Sequence, residues 1–405
     1  MAARDLVRAG RRVVILEASR RKGGRVLTRH DPLAGVPVEL GAEFVHGDAP
    51  LTTQLLDEAR LTTVPVLGEQ FRSDEGELSP QDEIWERMRR VFRYMNAERK
   101  EDRSFQEFLD TRPGGRGLAR ERELAHGFVQ GFNGAHTSLI SEKSIAQQGD
   151  PTEGASDARR ILQGYGALID HLGSETYTRI RFGAAVRRVL WDSEGVRISD
   201  SRGRTYRARL AVFTTPLPTL HDESIQFEPD LPGVRKAARQ LMMGQVTRVS
   251  VIVRERFWES RAEQLSFVHS PSRPFNVWWT QYPLNASVIT GWSGGPPSIE
   301  MSQRGDVENT ALSELARVFD MSRRRLDSLV ETVHTRDWRS DRNIRGAYSY
   351  AGVGGTMAPR TLARPVGNVL FFAGEATDSG SSGTVEGALA SGRRAAQQVL
   401  ARLRG

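Results

Sequence analysis

Residues 1–25 read MAARDLVRAGRRVVILEASRRKGGR, and this stretch decides the fold class. The apolar, β-branched run at 13–16 ends in an acid, Glu17, as buried strands of parallel sheets often do. Residues 2–9 predict a helix, and Gly10 stands where a helix commonly ends. A helix, a glycine, a strand and a terminal acid form the second half of a dinucleotide-binding βαβ unit. We therefore predict an α/β protein with a Rossmann-like domain.

The glycine-rich loop of such a unit is not at its expected place. A G-x-G-x-x-G turn usually precedes the acid by about 20 residues. Here only 16 residues precede Glu17, and none before Gly10 is a glycine. We expect the first strand and this loop to lie upstream of Met1. Because the loop donates backbone N–H groups to a diphosphate, we expect the chain as written to bind a dinucleotide weakly.

The composition excludes several functional classes. The 405 residues include no cysteine, so disulfides, thiolate metal sites and cysteine nucleophiles are excluded, and we predict no metal site. No apolar run approaches the roughly 18 residues of a membrane span. The net charge is +7, but the arginines that carry it are spread along the chain, which argues against nucleic-acid binding. Lysine occurs only at Lys22, Lys100, Lys143 and Lys236.

The first chemical motif follows the predicted strand, with Glu17, Arg21, Gly23, Gly24 and Arg25 in the spacing E-x3-R-x-G-G-R. A carboxylate at a strand end accepts hydrogen bonds from ribose hydroxyls. Two glycines let the backbone approach a diphosphate, and an arginine supplies charge beside it. The alternative is a surface turn with a few basic residues. The stretch resembles the flavin-binding signature of the monoamine oxidase and polyamine oxidase family.

A second motif lies at residues 370–396, LFFAGEATDSGSSGTVEGALASGRRAA. It resembles the second flavin signature of the same family. Gly374 and Glu375 form a turn at a strand end, and a helix is predicted to begin near Thr384. The resemblance implies that this helix end faces the flavin pyrimidine ring, where its dipole stabilises negative charge on the reduced ring.

Three further stretches resemble the family. PVELGAEFVHG at 37–47 matches the loop beneath the isoalloxazine, FGAAVRRV at 182–189 matches the strand that meets the adenine, and WRSDRNIRGAYSYAGVGG at 338–355 matches the aromatic region beside the flavin. The cofactor-binding residues that the resemblance implies are Glu17, Gly24, Arg25, Gly41, Ala42, Glu43, Val186, Gly374, Glu375, Thr384 and Val385. The residues that it implies near the reacting atoms are His46, Arg248, Trp338, Tyr348 and Thr384.

Three positions depart from the family pattern. Of the two tyrosines that form a cage over the flavin in monoamine oxidases, one matches Tyr348 and the other falls at Thr384. A lysine bonded through water to flavin N5 becomes Arg248, in QVTRVSVIVRERFW at 245–258. The cysteine that binds flavin covalently in monoamine oxidases becomes Ala347, so FAD is expected to be bound noncovalently.

Three of the single residues keep a plain structural alternative. His46 could make only a structural hydrogen bond, and Trp338 could belong to an ordinary core. Arg248 could form an ion pair in the second domain. The sequence leaves these readings open beside the catalytic ones.

The resemblance implies a split, glutathione-reductase-like FAD domain with an interleaved α+β substrate domain of mixed sheet and helices. We predict the FAD domain at 1–50, 171–220 and 335–405, with strands from all three segments in one sheet, and the substrate domain at 51–170 and 221–334.

The implied reaction is oxidative deamination of a monoamine or polyamine, with hydride transfer to flavin N5 and O2 as the acceptor that gives H2O2. A related flavin desaturase or protoporphyrinogen-type oxidase is the alternative within enzymes, and a non-catalytic remnant is the alternative outside them. We expect a cytoplasmic protein, and the sequence leaves open whether it is a monomer, a homodimer or a tetramer.

Overall fold

The structure is a computed structural model that describes residues 1–81, 83–152, 157–222, 224–270 and 274–404. Its helices are α1 Ala2–Arg8, α2 Pro50–Ala59, α3 Ile84–Phe92, α4 Phe105–Asp110, α5 Ala119–Phe132, α6 Glu142–Gln147, α7 Tyr165–Ser174, α8 Pro218–His221, α9 Pro232–Ala238, α10 Pro296–Arg304, α11 Val307–Val318, α12 Arg323–Leu329, α13 Ala358–Leu362 and α14 Val385–Arg402.

The strands lie between these helices along the chain, often several in succession. They are β1 Ile15–Glu17, β2 Thr28–His30, β3 Pro37–Glu39, β4 Phe44–His46, β5 Thr63–Pro65, β6 Glu69–Asp74, β7 Glu77–Pro80, β8 Ala158–Ile161, β9 Ile180–Phe182, β10 Val186–Trp191, β11 Val196–Asp200, β12 Thr205–Ala208, β13 Ala211–Phe213, β14 Gln226–Glu228, β15 Leu241–Met243, β16 Val246–Val253, β17 Leu265–His269, β18 Val277–Thr280, β19 Val288–Gly294, β20 Val330–Asp337, β21 Ser349–Ala351 and β22 Leu370–Phe372. The predicted mixture of helices with parallel and antiparallel strands is confirmed.

The helix and strand predicted at the start of the chain are both present. Helix α1 packs along α14, and its Leu6 is buried against Phe371, Ala396 and Val399. Strand β1 is shorter than predicted and pairs in parallel with β9, with Glu17 opposite Phe182. The acid therefore stands at the carboxyl end of a parallel strand, where α/β proteins bind ligands.

The expectation that strands from the start, middle and end of the chain share one sheet is wrong for the described residues. Strands β1 and β9 form one parallel pair, and β13 and β22 form another. Residues 13–16 and 211–213 both line one large cavity. Strands hydrogen-bond only when they lie about 4.8 Å apart, and no such pairing joins the two pairs.

The largest sheet has seven strands in the order β20-β16-β19-β18-β17-β6-β7. Every residue of its strand β16 is buried, as expected of a central strand covered on both faces. Its core contains Val251, Trp278 and Leu315 and is closed by helices α10, α11 and α12. Residues 69–80 of the first half of the chain thus complete a sheet built mainly from the second half.

The charged segment that follows contains helices α3, α4 and α5. Helix α3 buries Ile84, Met88, Val91 and Phe92 against α4 and α5. Helix α4 begins at a capping box, in which Ser104 and Glu107 each accept a backbone N–H of the other. This packing fixes α5, which forms one wall of the cavity.

No helix in the described part of the chain is both long enough and apolar enough to cross a membrane.

The seven-stranded sheet contains a glycine whose role can be tested. Gly291 of β19 lies opposite Trp278, and a Cβ added to it would lie 2.6 Å from Cζ3 of that fully buried indole. We expect Gly291→Ala to lower the free energy of unfolding by about 1–3 kcal/mol through overpacking, measured by urea denaturation.

Gly233→Ala is the matched control, because a Cβ on this residue of α9 would meet no heavy atom within 4 Å. We expect this control to be neutral or slightly stabilising. A Gly291→Ala variant as stable as the parent would contradict the packing described for this sheet.

Candidate active site

The predicted site residues share one cavity of about 2980 Å³. Ligand pockets commonly measure about 300–1,000 Å³, so this cavity has room for a large cofactor together with a substrate. The predicted residues that line it are Glu17, Gly24, Arg25, Gly41, Ala42, Glu43, His46, Val186, Arg248, Trp338, Tyr348, Gly374, Glu375, Thr384 and Val385.

One part of the cavity wall lies at the carboxyl end of β1. Glu17 accepts a hydrogen bond from the backbone N–H of Ser19 at Oε1, at 2.7 Å. Among the described residues its Oε2 has no partner and is available to a ligand. The backbone carbonyl of Glu17 accepts from Ala184, which brings the start of β10 at Val186 beside the carboxylate.

The turn after β1 is held by Arg21. Its guanidinium donates to the carbonyls of Gly24 and Val26, at 2.5 and 3.1 Å. Burial and then the charge of Arg336 lower the pKa of Arg21. Gly24 has a φ of +56°, and a Cβ on it would meet no heavy atom within 4 Å, so the backbone there is open to a ligand.

Arg25 and Glu375 form an ion pair at the centre of the cavity wall, with Arg25 Nη1 and Glu375 Oε1 2.7 Å apart. The same Nη1 donates to the Ala347 carbonyl at 2.8 Å. Glu375 also accepts from the hydroxyl of Ser349 at 2.6 Å and the N–H of Gly383 at 3.1 Å. Both oxygens of its carboxylate are therefore bonded to protein groups, while Arg25 is about a quarter exposed and lines the cavity.

Helix α14 begins at the cavity, as predicted. Thr384 is its N-cap and accepts the N–H of Gly387 at 3.0 Å. Among the described residues, the N–H groups of Val385 and Glu386 have no acceptor. The Glu386 carboxylate accepts hydrogen bonds from the N–H groups of Leu51 and Thr52. An 18-residue helix thus presents unpaired N–H groups and its positive dipole end to the cavity.

A buried charge cluster lies under residues 41–43. Glu43 accepts from Arg160 Nε at 2.7 Å and pairs with Arg248 Nη2, and all three side chains are at most 7% exposed. The indole N–H of Trp279 lies 3.2 Å from both Glu43 oxygens. Burial alone would raise the pKa of Glu43, but the two guanidinium groups outweigh it and lower that pKa.

Arg248 is held firmly in this cluster. It donates to the Gly41 carbonyl at 3.3 Å, and its guanidinium carbon lies 5.2 Å from the Trp279 ring centre. Arg248 therefore forms an ion pair, but its partner Glu43 lies in the segment 1–50 predicted for the FAD domain rather than in the second domain. Arg248 also lines the cavity. The predicted contact of Glu43 with cofactor stays a prediction, since its carboxylate is bonded to protein.

Trp338 is buried, as the core alternative describes, and it also lines the cavity. Its ring is 3% exposed and lies against the Arg336 guanidinium at 4.3 Å, as a core residue would. Its indole N–H donates to the Leu40 carbonyl at 3.0 Å. Trp338 therefore fixes the backbone that leads into residues 41–43.

Tyr348 and Thr384 lie near one another, on either side of Gly383. A Cβ on Gly383 would lie 3.6 Å from Cδ2 of Tyr348. The Tyr348 hydroxyl donates to the Phe132 carbonyl at 2.5 Å, and burial raises the pKa of the phenol. The tyrosine is therefore a neutral, fixed aromatic at the point where α14 begins and α5 ends.

His46 lies in an aromatic wall that the sequence reading missed. Its ring centre is 5.8 Å from that of Phe44, in a tilted arrangement, and 5.7 Å from that of Phe132, in an edge-on arrangement. Phe128 stacks on Phe132 at 5.0 Å. The signal was present in HGFVQGFNG at 126–134, where phenylalanines and glycines recur four residues apart and so share one face of a helix.

A second histidine in this region, His269, is neutral at physiological pH. Burial, and then the charge of Arg72, lower its pKa to about 4. Its Nε2 lies 2.8 Å from Oε1 of Gln70. This part of the cavity wall therefore includes a neutral imidazole beside aromatic rings.

Comparison with known proteins shows which family the chain resembles. A family model described as flavin containing amine oxidoreductase matches residues 1–400. Polyamine oxidase 3 of Oryza sativa subsp. japonica is 29% identical over 99% of this chain and 87% of its own length. Lysine-specific histone demethylase 1 homolog 2 of the same organism is 27% identical over 98% of this chain, which spans 55% of that relative's length.

Two solved structures share the fold. Putrescine oxidase bound to putrescine superposes with a TM-score of 0.83 at 20% identity, covering 99% of this chain and 96% of that one. Cyclohexylamine oxidase from Brevibacterium oxydans IH-35A gives 0.83 at 19% identity, covering 100% and 96%. Since the family model extends over nearly the whole sequence, the chain belongs to the flavin-containing amine oxidoreductase family.

Proposed function

We propose that this protein binds FAD noncovalently and oxidises a small-molecule amine to an imine, which hydrolyses, with O2 as the electron acceptor. The observation that carries the proposal is the meeting of Tyr348, Thr384 and the α14 N-terminus in one cavity. Family membership supports a flavin and an amine, whereas the choice of amine and of acceptor belongs to the proposal.

The residues of the cavity fit FAD. The free oxygen of Glu17 suits ribose hydroxyls, and Arg25 with the open backbone of Gly24 suits a diphosphate. The unpaired N–H groups of α14 suit the electron-rich edge of the ring. Ala347 has no nucleophilic atom, and its backbone N–H is bonded to the Gly244 carbonyl, which supports noncovalent binding.

The bound flavin supplies the hydride acceptor, and the chain supplies position and electrostatics. The aromatic wall of Phe44, His46 and Phe132 surrounds a neutral amine and excludes water from it. The positive end of α14 would stabilise negative charge on a bound flavin. Because Glu43 and Glu375 are paired with arginines, the reaction is proposed to proceed on an amine that binds already deprotonated.

A screen for hydrogen peroxide over monoamines, polyamines and amino acids tests the proposed function. We expect peroxide with at least one class of amine once the protein is supplied with FAD. A protein that holds FAD but oxidises no amine would favour the desaturase alternative. A protein that fails to take up FAD would favour the non-catalytic alternative.

Replacing Tyr348 tests its place beside the reacting centre. We expect Tyr348→Ala to lower kcat/KM for the amine about tenfold and to leave FAD content unchanged, because the ring excludes water from that centre. The measurement is steady-state peroxide formation, together with the visible absorbance of bound flavin. Tyr348→Phe is the control, since it keeps the ring and loses only the bond to Phe132. Unchanged kinetics in Tyr348→Ala would remove the residue from the site.

Replacing Arg248 tests its influence on reoxidation. Glu43 and the Gly41 carbonyl hold its guanidinium, whereas a lysine ammonium is compact and can bind water nearer the ring. We expect Arg248→Lys to react with O2 several-fold faster in stopped-flow oxidation of the reduced protein. Arg160→Lys is the matched control, because Arg160 bonds the same carboxylate and does not line the cavity. An Arg248→Lys variant no faster than the parent would show that this guanidinium does not limit reoxidation.

A further inference from the structure

A hairpin turn between β11 and β12 brings Arg202 to the cavity. In this turn the N–H of Ser201 donates to the Ala185 carbonyl at 2.7 Å, which places the turn beside Val186 at the start of β10. The side chain of Arg202 is exposed and lines the cavity, and it forms no hydrogen bond or ion pair with any other described residue.

The acid of this turn does not neutralise Arg202. Oδ1 of Asp200 accepts the backbone N–H groups of Arg202 and Arg204 at 2.9 and 3.0 Å. Its Oδ2 accepts from Nε of Arg204 at 2.7 Å, so the negative charge of the buried carboxylate is paired with Arg204. Arg202 therefore reaches the cavity as a cation without a counter-ion.

A glycine makes room for the guanidinium of Arg202. A Cβ added to Gly183 would lie 2.3 Å from Nη2 of Arg202, and Gly183 has a φ of +64°, which favours glycine. The N–H of Gly183 donates to the Ser19 carbonyl at 2.9 Å, and that of Ala184 donates to the Glu17 carbonyl at 2.8 Å. The guanidinium thus lies against the backbone that is bonded to the turn after Glu17.

The surroundings of Arg202 indicate what it would contact. Glu17 and Arg202 line the same cavity, and a guanidinium binds either an anion or the face of an aromatic ring. In the proposed function the diphosphate of FAD is assigned to Gly24 and Arg25, and a ribose is assigned to Glu17. The remaining part of the adenosine half is the adenine, a planar and uncharged ring on which a guanidinium can stack.

We propose that Arg202 stacks on the adenine of FAD and so binds the adenosine half of the cofactor. The inference rests on the FAD binding that the proposed function includes, and it adds a contact from outside both flavin motifs of the sequence. The adenosine is then held from two sides, by the turn after β1 and by the turn between β11 and β12.

Calorimetric titration with FAD, FMN and ADP tests the proposal, because FMN lacks the adenosine half and ADP lacks the flavin. We expect Arg202→Ala to raise the dissociation constants of FAD and ADP roughly five- to tenfold, the loss of one stacking contact, and to leave that of FMN unchanged. Arg197→Ala is the matched control, because Arg197 is exposed on β11 and does not line the cavity. This control should bind all three ligands as the parent does.

A second variant separates stacking from a simple effect of charge. A lysine at position 202 keeps the positive charge and loses the planar face. We therefore expect Arg202→Lys to bind FAD about as weakly as Arg202→Ala does. An Arg202→Lys variant with the parent's affinity for FAD would overturn the stacking contact.

The remaining outcomes distinguish this contact from the proposed function. Unchanged dissociation constants of FAD and ADP in Arg202→Ala would overturn the contact, and so would an equal loss of FMN binding. A parent protein that binds neither FAD nor ADP would overturn the contact together with the proposed function. A parent protein that binds both, but oxidises no amine, would overturn the proposed function alone.

Discussion

The buried carboxylate of Glu375 joins the parts of the chain that surround the inner cavity. It pairs with Arg25 from the turn after β1, accepts the hydroxyl of Ser349 at β21, and accepts the N–H of Gly383 just before α14. Breaking a buried ion pair by removing one partner costs about 3–5 kcal/mol, because a charge is left without compensation. Glu375 therefore ties the start of α14 to Arg25. Both oxygens of Glu375 are thus bonded to protein groups.

A second carboxylate, Glu43, has the corresponding role on the other side of the cavity. Arg160 and Arg248 reach it from β8 and β16, so the loop at 41–43 is tied to the seven-stranded sheet and to the short sheet of β4, β5 and β8. Both acids nearest the centre are thus neutralised by arginines. The side chains that surround the proposed substrate position are aromatic. We therefore attribute the proposed catalysis to orientation of the substrate and to the helix dipole rather than to an acid or base.

The sequence predicted the parts of the site that depend on local patterns. The strand that ends at Glu17 and the helix that begins at Thr384 are set by periodicity and capping over a few residues, and the structure contains both. The partners of these residues depend on contacts between distant segments. The pairing of Arg25 with Glu375 spans 350 residues. The pairing of β1 with β9 joins Ile15 to Ile180. No local pattern encodes such contacts, which is why the single-sheet expectation failed and why the partners of Glu43 were not foreseen. The face of α5 is different, because its phenylalanines and glycines recur at helical spacing and were readable from the sequence alone.

The central claim is that this chain holds a flavin which an amine reduces directly. Anaerobic titration of the FAD-loaded protein with amines, followed through the visible absorption of the flavin, tests that claim without depending on the acceptor. The account predicts that an amine bleaches the flavin band in proportion to the flavin bound, and that admission of O2 restores it. A protein that retains FAD in its cavity, but whose flavin band no amine bleaches, would contradict the account.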